Sequence, residues 1–195
     1  ILSACTHLVT GDPGHRFMLG PLMIDIEGIA LSDADRALLR EPLVGGIILF
    51  SRNYADPEQL ASLTAEIHAL RSPPLLIAVD QEGGRVQRMK PSQWRKIPAP
   101  GRFGELYETD PDLACRAVRL NARLIAHELQ DVGVDVNCAP SLDLRLEGAS
   151  QVIGDRAFAA DISTVSTLGK AAAEGFLAGG VLPVIKHMPG HGRAM

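Results

Sequence analysis

The residues from Leu75 to Val79 form an uninterrupted apolar run that ends abruptly in charged residues and glycines. The run is bounded by Pro73-Pro74 before it and by Gly83-Gly84 after it. A short apolar run between such breakers is typical of a strand buried on both faces, as in parallel sheets covered by helices. A carboxylate directly after such a strand is costly to bury unless it is hydrogen bonded, so Asp80 is predicted to lie in a polar site.

The same strand signal recurs at four other places, with helix start signals between the apolar runs. The further strands are predicted at 21–26, 45–50, 134–138 and 181–187. Helices are predicted to begin after Ser32, Asp56, Asp110 and Asp161, whose side chains can accept hydrogen bonds from the first helical turn. Two long connections are predicted at 85–107 and 139–160, and loops of this length are usually either functional or disordered.

Apolar residues at helical spacing indicate the face that each helix should bury. The predicted inward residues are Leu38 and Leu39 in the first helix, Leu60, Leu63, Ile67 and Leu70 in the second, Leu113, Ala117, Leu120 and Leu124 in the third, and Val165, Leu168, Ala172 and Phe176 in the fourth.

The alternation of strands and helices predicts an α/β fold, either a TIM-type (β/α)8 barrel or a doubly wound sheet. The barrel is favoured because no strand precedes a G-x-G-x-x-G turn and because polar residues follow several strands, where barrel enzymes carry their sites. A complete barrel takes about 250 residues. We therefore expect residues 19–195 to be the N-terminal part of a truncated barrel, with about five β/α units, after a leader-like or tag-like segment at 1–18.

Charge and cysteine usage narrow the classes of partner and compartment. With 19 basic and 23 acidic side chains, the formal charge of -4 gives no basic surface for nucleic acid. No apolar run approaches the roughly 20 residues that a membrane span needs. Three scattered cysteines argue against a disulfide framework and for a reducing compartment, so a cytoplasmic protein is expected.

Asp80 and Glu82 are the first candidates for chemistry. Side chains alternate along an extended chain, so both carboxylates should point to one side. They could serve as an acid and base, or a nucleophile and acid, at a sugar bond; alternatively, one of them braces the loop. Arg85 and Arg88 could hold a carboxylate, phosphate or sugar hydroxyl, or could be ordinary surface arginines.

The segment from Lys186 to Gly192 is the second dense cluster of polar residues. His187 and His191 have a zinc-like spacing, but Pro189 prevents the helix that this geometry needs, so no metal is predicted. Lys186 could instead be a Schiff-base lysine of an aldolase-like lyase, and His187 could be a core histidine bonded to a carbonyl. The glycines lack a phosphate-loop pattern, so no nucleotide cofactor is predicted.

Four segments, at 43–50, 79–88, 154–156 and 186–192, resemble the family-3 glycoside hydrolases, most closely the bacterial β-N-acetylglucosaminidases (β-hexosaminidases) of peptidoglycan recycling. The resemblance extends from about Leu19 to the end of the chain. It implies a TIM-type barrel without metal or cofactor. It also implies a cytoplasmic, monomeric enzyme that removes β-linked N-acetylglucosamine from anhydromuropeptides, with retention through a covalent glycosyl-enzyme.

The resemblance also assigns roles to residues. The implied substrate-binding residues are Asp80, Arg88, Arg156, Lys186 and His187. Asp80 would accept hydrogen bonds from sugar hydroxyls, the other four would donate, and Glu82 would only brace its loop. No catalytic residue is assigned within 1–195, because the family's nucleophilic aspartate and its acid/base histidine would lie beyond Met195.

Other functions stay open beside this one. Within the family, the protein could be a broader β-glycosidase or an N-acetylglucosaminide phosphorylase. Outside it, the alternatives are a barrel lyase that uses Lys186 and a non-catalytic sugar-binding half-barrel.

Overall fold

The computed structural model describes residues 19–149 and 151–192, so the segment predicted at 1–18 lies outside the described residues. The strands are β1 (Leu22–Ile24), β2 (Val44–Leu49), β3 (Leu76–Val79), β4 (Gln81–Gly83), β5 (Val86–Gln87), β6 (Val136–Asn137) and β7 (Leu182–Pro183). The α-helices are α1 (Asp33–Leu39), α2 (Pro57–Ala69), α3 (Pro100–Tyr107), α4 (Pro111–Asp131) and α5 (Ile162–Ala178). Two 3₁₀ turns occupy Ser51–Asn53 and Gly154–Arg156.

The main sheet is parallel and grows in one direction along the chain. Its strand order is β1-β2-β3-β6-β7, and each neighbouring pair is parallel. A doubly wound sheet would reverse its strand order at a switch point, whereas a barrel sheet adds each new strand on the same side. The predicted α/β fold is confirmed, and the chain forms part of a TIM-like (β/α) barrel.

The register of the strands brings their polar ends together. Leu49 of β2 pairs with Val79 of β3, so Phe50 and Asp80 leave the sheet at the same level. After β7, Lys186 pairs with Ser141 in a parallel bridge. The carboxyl ends of parallel strands meet at one edge, and this edge carries the site described below.

The predicted helix caps are confirmed. Ser32 forms a capping box with Asp35, while Asp56, Asp110 and Asp161 each accept a hydrogen bond from the third backbone N–H of their helix. The predicted inward faces of α2 and α5 are also confirmed, with Leu70 of α2 only partly buried. In α1, Leu39 is buried but Leu38 is exposed, so half of that prediction was wrong.

Helix α4 buries a different face from the predicted one. Leu113, Leu120 and Leu124 are exposed, and the buried residues are Ala114, Val118, Ala122, Ile125, Ala126 and Leu129. The reason is the close approach of α5. A methyl group added to Gly175 would lie 2.8 Å from Cβ of Ala122, and one added to Gly179 would lie 2.4 Å from Cβ of Ala126. So close a contact requires small side chains at Ala122 and Ala126, and turning this face toward α5 leaves Leu113, Leu120 and Leu124 outward.

The predicted loop after β3 contains regular structure. Strands β4 and β5 form an antiparallel hairpin, and α3 begins at Pro100. Gly83 and Gly84 have φ angles of 109° and 56°, and a Cβ at Gly83 would lie 2.3 Å from the carbonyl oxygen of Pro98. Glycine is therefore required at the hairpin turn, because other residues tolerate neither the angle nor the contact.

Both edges of the main sheet expose apolar side chains. On β1, Leu22 and Met23 are 50% and 46% exposed; at the other edge, Leu182 of β7 and Val184 and Ile185 after it are 42–48% exposed. Unpaired apolar edges are templates for association with another chain. Separately, none of the helices in the described residues is both long and apolar enough to cross a membrane.

We therefore expect the 195-residue chain, expressed alone, to self-associate through these edges. Light scattering on a size-exclusion column should give a mass that rises with protein concentration. The double variant Leu182→Lys/Ile185→Lys should have a lower mass, because a charged edge disfavours strand pairing. A monomer with a sharp, cooperative thermal transition would contradict this prediction.

Candidate functional site

The centre of the site is a lysine held between two carboxylates from another strand. Lys186, after β7, places its Nζ 2.7 Å from Oδ1 of Asp80 and 2.5 Å from Oε1 of Glu82. Asp80 follows β3 directly and Glu82 lies two residues further, in β4. The predicted alternation is thus confirmed, since both carboxylates face the same cation.

Arg88 contacts the second oxygen of Asp80. Its Nη2 donates to Oδ2 of Asp80 at 3.0 Å, and its guanidinium carbon lies 5.6 Å from the centre of the Phe50 ring. The backbone N–H of Arg88 donates to Oε1 of the fully buried Gln81 at 2.8 Å, which holds the hairpin against the strand end. Asp80 therefore joins two cations that come from different parts of the chain.

Arg156 grips Glu82 with both arms of its guanidinium group. Its Nε and Nη2 each lie 2.9 Å from a different Glu82 oxygen. The Glu82 side chain is 1% exposed, compared with 13% for Arg156 and 12% for Lys186. Such forked pairs fix geometry as well as charge. Glu82 is therefore the hub that holds Arg156 and Lys186 together, which is more than bracing its own loop.

Arg85 belongs to the support of the site. Its Nη2 donates to the carbonyl oxygens of Gln151, Val152 and Ile153, and its Nε donates to Asp155 at 3.1 Å. These contacts fix the turn that precedes Arg156. The sequence analysis offered two alternatives for Arg85, a residue that holds a ligand and an ordinary surface arginine. Its contacts fit neither of them.

A second buried carboxylate, Asp143, holds the histidine segment. Its Oδ2 lies 2.5 Å from Nδ1 of His187 and accepts from Oγ of Ser141 at 3.1 Å. Its Oδ1 accepts from the backbone N–H of His191 at 2.5 Å. His187 is therefore bonded to a carboxylate and not to the backbone carbonyl considered for a core histidine.

The charges of these groups follow from their surroundings. Burial acts to raise the pKa of Asp80, but the hydrogen bonds and charges of Lys186 and Arg88 outweigh it and hold that pKa below its usual range. Burial likewise opposes ionisation of Asp143, but donors from His187, His191 and Ser141 keep its pKa low. Both aspartates are therefore carboxylates at neutral pH.

Two further pKa shifts bear on the chemistry. The hydrogen bonds from Arg156 to Glu82 raise the pKa of Arg156, so its guanidinium group stays charged. Burial, and then the charge of Asp80, raises the pKa of the Cys138 thiol. A thiol must ionise to act as a nucleophile, so Cys138 is poorly suited to that role.

The geometry suits recognition of a polar, hydroxyl-rich ligand. Carboxylates accept from hydroxyls, while arginine and lysine donate to them. A Schiff-base lysine needs a free amine that can attack a carbonyl, whereas the Nζ of Lys186 is held by two carboxylates at 2.7 and 2.5 Å. Residues 19–149 and 151–192 contain no group of three or more histidine, cysteine or acidic side chains placed to hold a metal ion.

The structure brings the sequence-predicted binding residues to one edge of the sheet. Asp80, Arg88, Arg156 and Lys186 form one ion-pair network through Glu82. His187 follows Lys186 directly and is held separately by Asp143. No role was predicted for Asp143 from the sequence. The signal available in the sequence was its place in the polar segment that follows strand β6.

Comparisons with known proteins show which family the sequence matches. A family model described as the glycosyl hydrolase family 3 N-terminal domain matches residues 19–195. A β-hexosaminidase of Nitrosomonas eutropha is 52% identical over 174 residues, which are 89% of this chain and 49% of that protein.

Solved structures give the same picture. The crystal structure of native NagZ from Neisseria gonorrhoeae superposes with a TM-score of 0.85 at 42% identity, covering 89% of this chain and 50% of the other. A structure of NagZ from the same organism in complex with N-trifluoroacetyl-D-glucosamine has the same TM-score and identity, and covers 89% and 51%. The chain thus spans about half the length of these relatives.

Proposed function

The chain belongs to glycosyl hydrolase family 3, and on that premise we propose that it is the N-terminal part of a β-N-acetylglucosaminidase. The full-length protein would release terminal β-linked N-acetylglucosamine from peptidoglycan fragments, the anhydromuropeptides, in the cytoplasm. It would act as a monomer, with water as acceptor and with retention through a covalent glycosyl-enzyme. The nucleophilic aspartate and the acid/base histidine would come from the part of the protein beyond Met195.

The observation that carries the proposal is the joining of Lys186 to both Asp80 and Glu82 across separate strands. A ring hydroxyl can donate to the Asp80 carboxylate while it accepts from Lys186 or Arg88. In the described residues, the buried Nε of Arg88 has no hydrogen-bond partner. A buried donor without a partner is costly, so a ligand oxygen at this place would lower the free energy of the site.

Each residue of this site then has a role in holding the sugar. Asp80 accepts from hydroxyls, Arg88, Arg156 and Lys186 donate to the sugar, and His187 contacts it through Nε2. Lys186 has three N–H donors, of which its contacts to Asp80 and Glu82 use two. Hydrogen bonds to sugar hydroxyls that strengthen in the transition state contribute several kcal/mol to glycoside hydrolysis. Glu82 keeps Arg156 and Lys186 at the distance that such contacts require.

The proposal is tested with purified full-length protein. We expect release of 4-nitrophenol from 4-nitrophenyl N-acetyl-β-D-glucosaminide, with the corresponding β-glucoside as matched control. Proton NMR should show that the β-anomer of N-acetylglucosamine is formed first. An N-acetylglucosaminyl-anhydromuropeptide should be cleaved as well, which tests the proposed natural substrate.

The alternatives predict different results in the same experiments. Faster cleavage of the β-glucoside would indicate a broader β-glycosidase, and a sugar phosphate formed in phosphate buffer would indicate a phosphorylase. Binding of N-acetylglucosamine without any 4-nitrophenol release would indicate a non-catalytic sugar-binding protein. Substrate mass trapped on Lys186 by borohydride would indicate the lyase. Any of these results would overturn the proposed β-N-acetylglucosaminidase.

A further inference from the structure

We propose that Asp143 is a positioning residue that fixes the ring proton of His187 on Nδ1 and so leaves Nε2 to meet the sugar. This inference rests on the proposed function, because it assigns the sugar as the partner of Nε2. Asp143 itself does not touch the substrate in this scheme; it acts only through His187.

The first support is that Asp143 can only accept hydrogen bonds. Its side chain is fully buried, at 0% exposure, and its low pKa makes it a carboxylate. All three described contacts of its oxygens are to donors or to a ring nitrogen that can donate: Oγ of Ser141, Nδ1 of His187 and the backbone N–H of His191. A carboxylate has no proton to give, so the 2.5 Å contact requires the proton to be on Nδ1 of His187.

The second support is that the His187 ring spans from a buried anchor to an accessible position. The His187 side chain is 36% exposed, whereas the Asp143 carboxylate is not exposed at all. With the proton on Nδ1, Nε2 is the ring nitrogen left for a ligand and can only accept a hydrogen bond. A sugar hydroxyl would therefore donate to it, in contrast to the donor role that the resemblance implies for His187. Histidine sites commonly use one nitrogen to orient the ring for the work of the other.

The third support is the backbone pairing of the two segments. The N–H of Leu142 donates to the carbonyl of Lys186 at 2.6 Å, and the N–H of Lys186 donates to that of Pro140 at 3.2 Å. Asp143 is therefore presented to His187 by a paired segment. Lys186 is anchored by Asp80 and Glu82, so the two consecutive residues are positioned by independent carboxylates.

The position of the proton can be measured directly in the wild-type protein. Long-range proton–nitrogen NMR spectra of full-length protein labelled in histidine should show the ring proton of His187 on Nδ1. The spectrum of His187→Gln, which lacks these signals, assigns them. A proton on Nε2, or a mixture of both tautomers, would overturn the proposal. This readout needs no variant of Asp143 to fold.

Kinetics give a second, independent test with a matched control. In full-length protein, Asp143→Asn should lower kcat/KM about 10- to 150-fold, as for loss of a hydrogen bond to a charged group. Ser141→Ala removes another donor to the same oxygen but leaves the contact between Asp143 and His187, so it should lower kcat/KM by a clearly smaller factor than Asp143→Asn. The His187 signals of Asp143→Asn should report both tautomers.

The outcomes separate this inference from the proposed function. Equal losses in folded Asp143→Asn and Ser141→Ala would overturn the positioning role, even if the wild type cleaves the aryl glycoside. If the wild type releases no N-acetylglucosamine, the proposed function fails, whereas the NMR spectrum still decides where the His187 proton lies.

Discussion

Replacing Glu82 by alanine is expected to lower the free energy of unfolding of the full-length protein by about 3 to 5 kcal/mol, the usual cost of removing one partner of a buried ion pair. The Glu82 side chain is 1% exposed and is bonded to both Arg156 and Lys186. Its removal leaves two largely buried cations without this carboxylate. Urea unfolding followed by circular dichroism measures the change.

Glu128 provides the matched control for Glu82. It pairs with Arg95 at 3.1 Å, but both side chains are about 30% exposed, so Glu128→Ala should cost no more than about 1 kcal/mol. The double variant Glu82→Met/Arg156→Met should be more stable than Glu82→Ala. It also removes the Arg156 guanidinium group, which Glu82→Ala leaves without its carboxylate. Equal costs for Glu82→Ala and Glu128→Ala would contradict the role of Glu82 as the hub.

The variants Lys186→Ala and Arg88→Ala are each expected to weaken transition-state stabilisation in the full-length enzyme by about 1.5 to 3 kcal/mol, the range for hydrogen bonds to charged groups. Each side chain contacts Asp80 and is mostly buried at the strand ends. Measured as kcat/KM on the aryl N-acetylglucosaminide, this loss corresponds to a fall of about 10- to 150-fold.

Lys170 is the control for these two variants. It lies on α5 with 79% of its side chain exposed and 3.9 Å from Glu174, so Lys170→Ala should leave kcat/KM unchanged. Retained activity in both Lys186→Ala and Arg88→Ala would argue strongly against the proposed sugar site. Circular dichroism of each variant separates loss of contact from loss of fold.

The part of the site that the sequence predicted depends on local rules. Parallel strands bring their carboxyl ends to one edge, so Asp80 and Lys186 could be placed together from two apolar runs. Side-chain alternation put Glu82 on the same side as Asp80. The assignment of sugar contacts to Arg156 and His187 came from the resemblance alone and stays a prediction. For Arg88 a sugar contact was one of two alternatives drawn from the residues, and it also stays a prediction.

The features that the sequence did not predict are determined by contacts between distant segments. Helix α4 carries two apolar stripes. The stripe that is buried is the one that packs against Gly175 of α5 and Gly179 at its C-terminal end, and α5 follows α4 in the chain. No spacing rule indicates that Arg85 meets carbonyl groups about 70 residues later. Asp143 lies in an irregular segment, where periodicity says nothing about direction.

The internal pairing of the site also bears on its response to salt. Three cations, Arg88, Arg156 and Lys186, face two carboxylates, so most of the charge is balanced before any ligand arrives. Ionic strength screens interactions between separated net charges far more than short contacts that already neutralise each other. An uncharged sugar would enter without releasing counterions, so its affinity should remain nearly constant between dilute buffer and physiological salt.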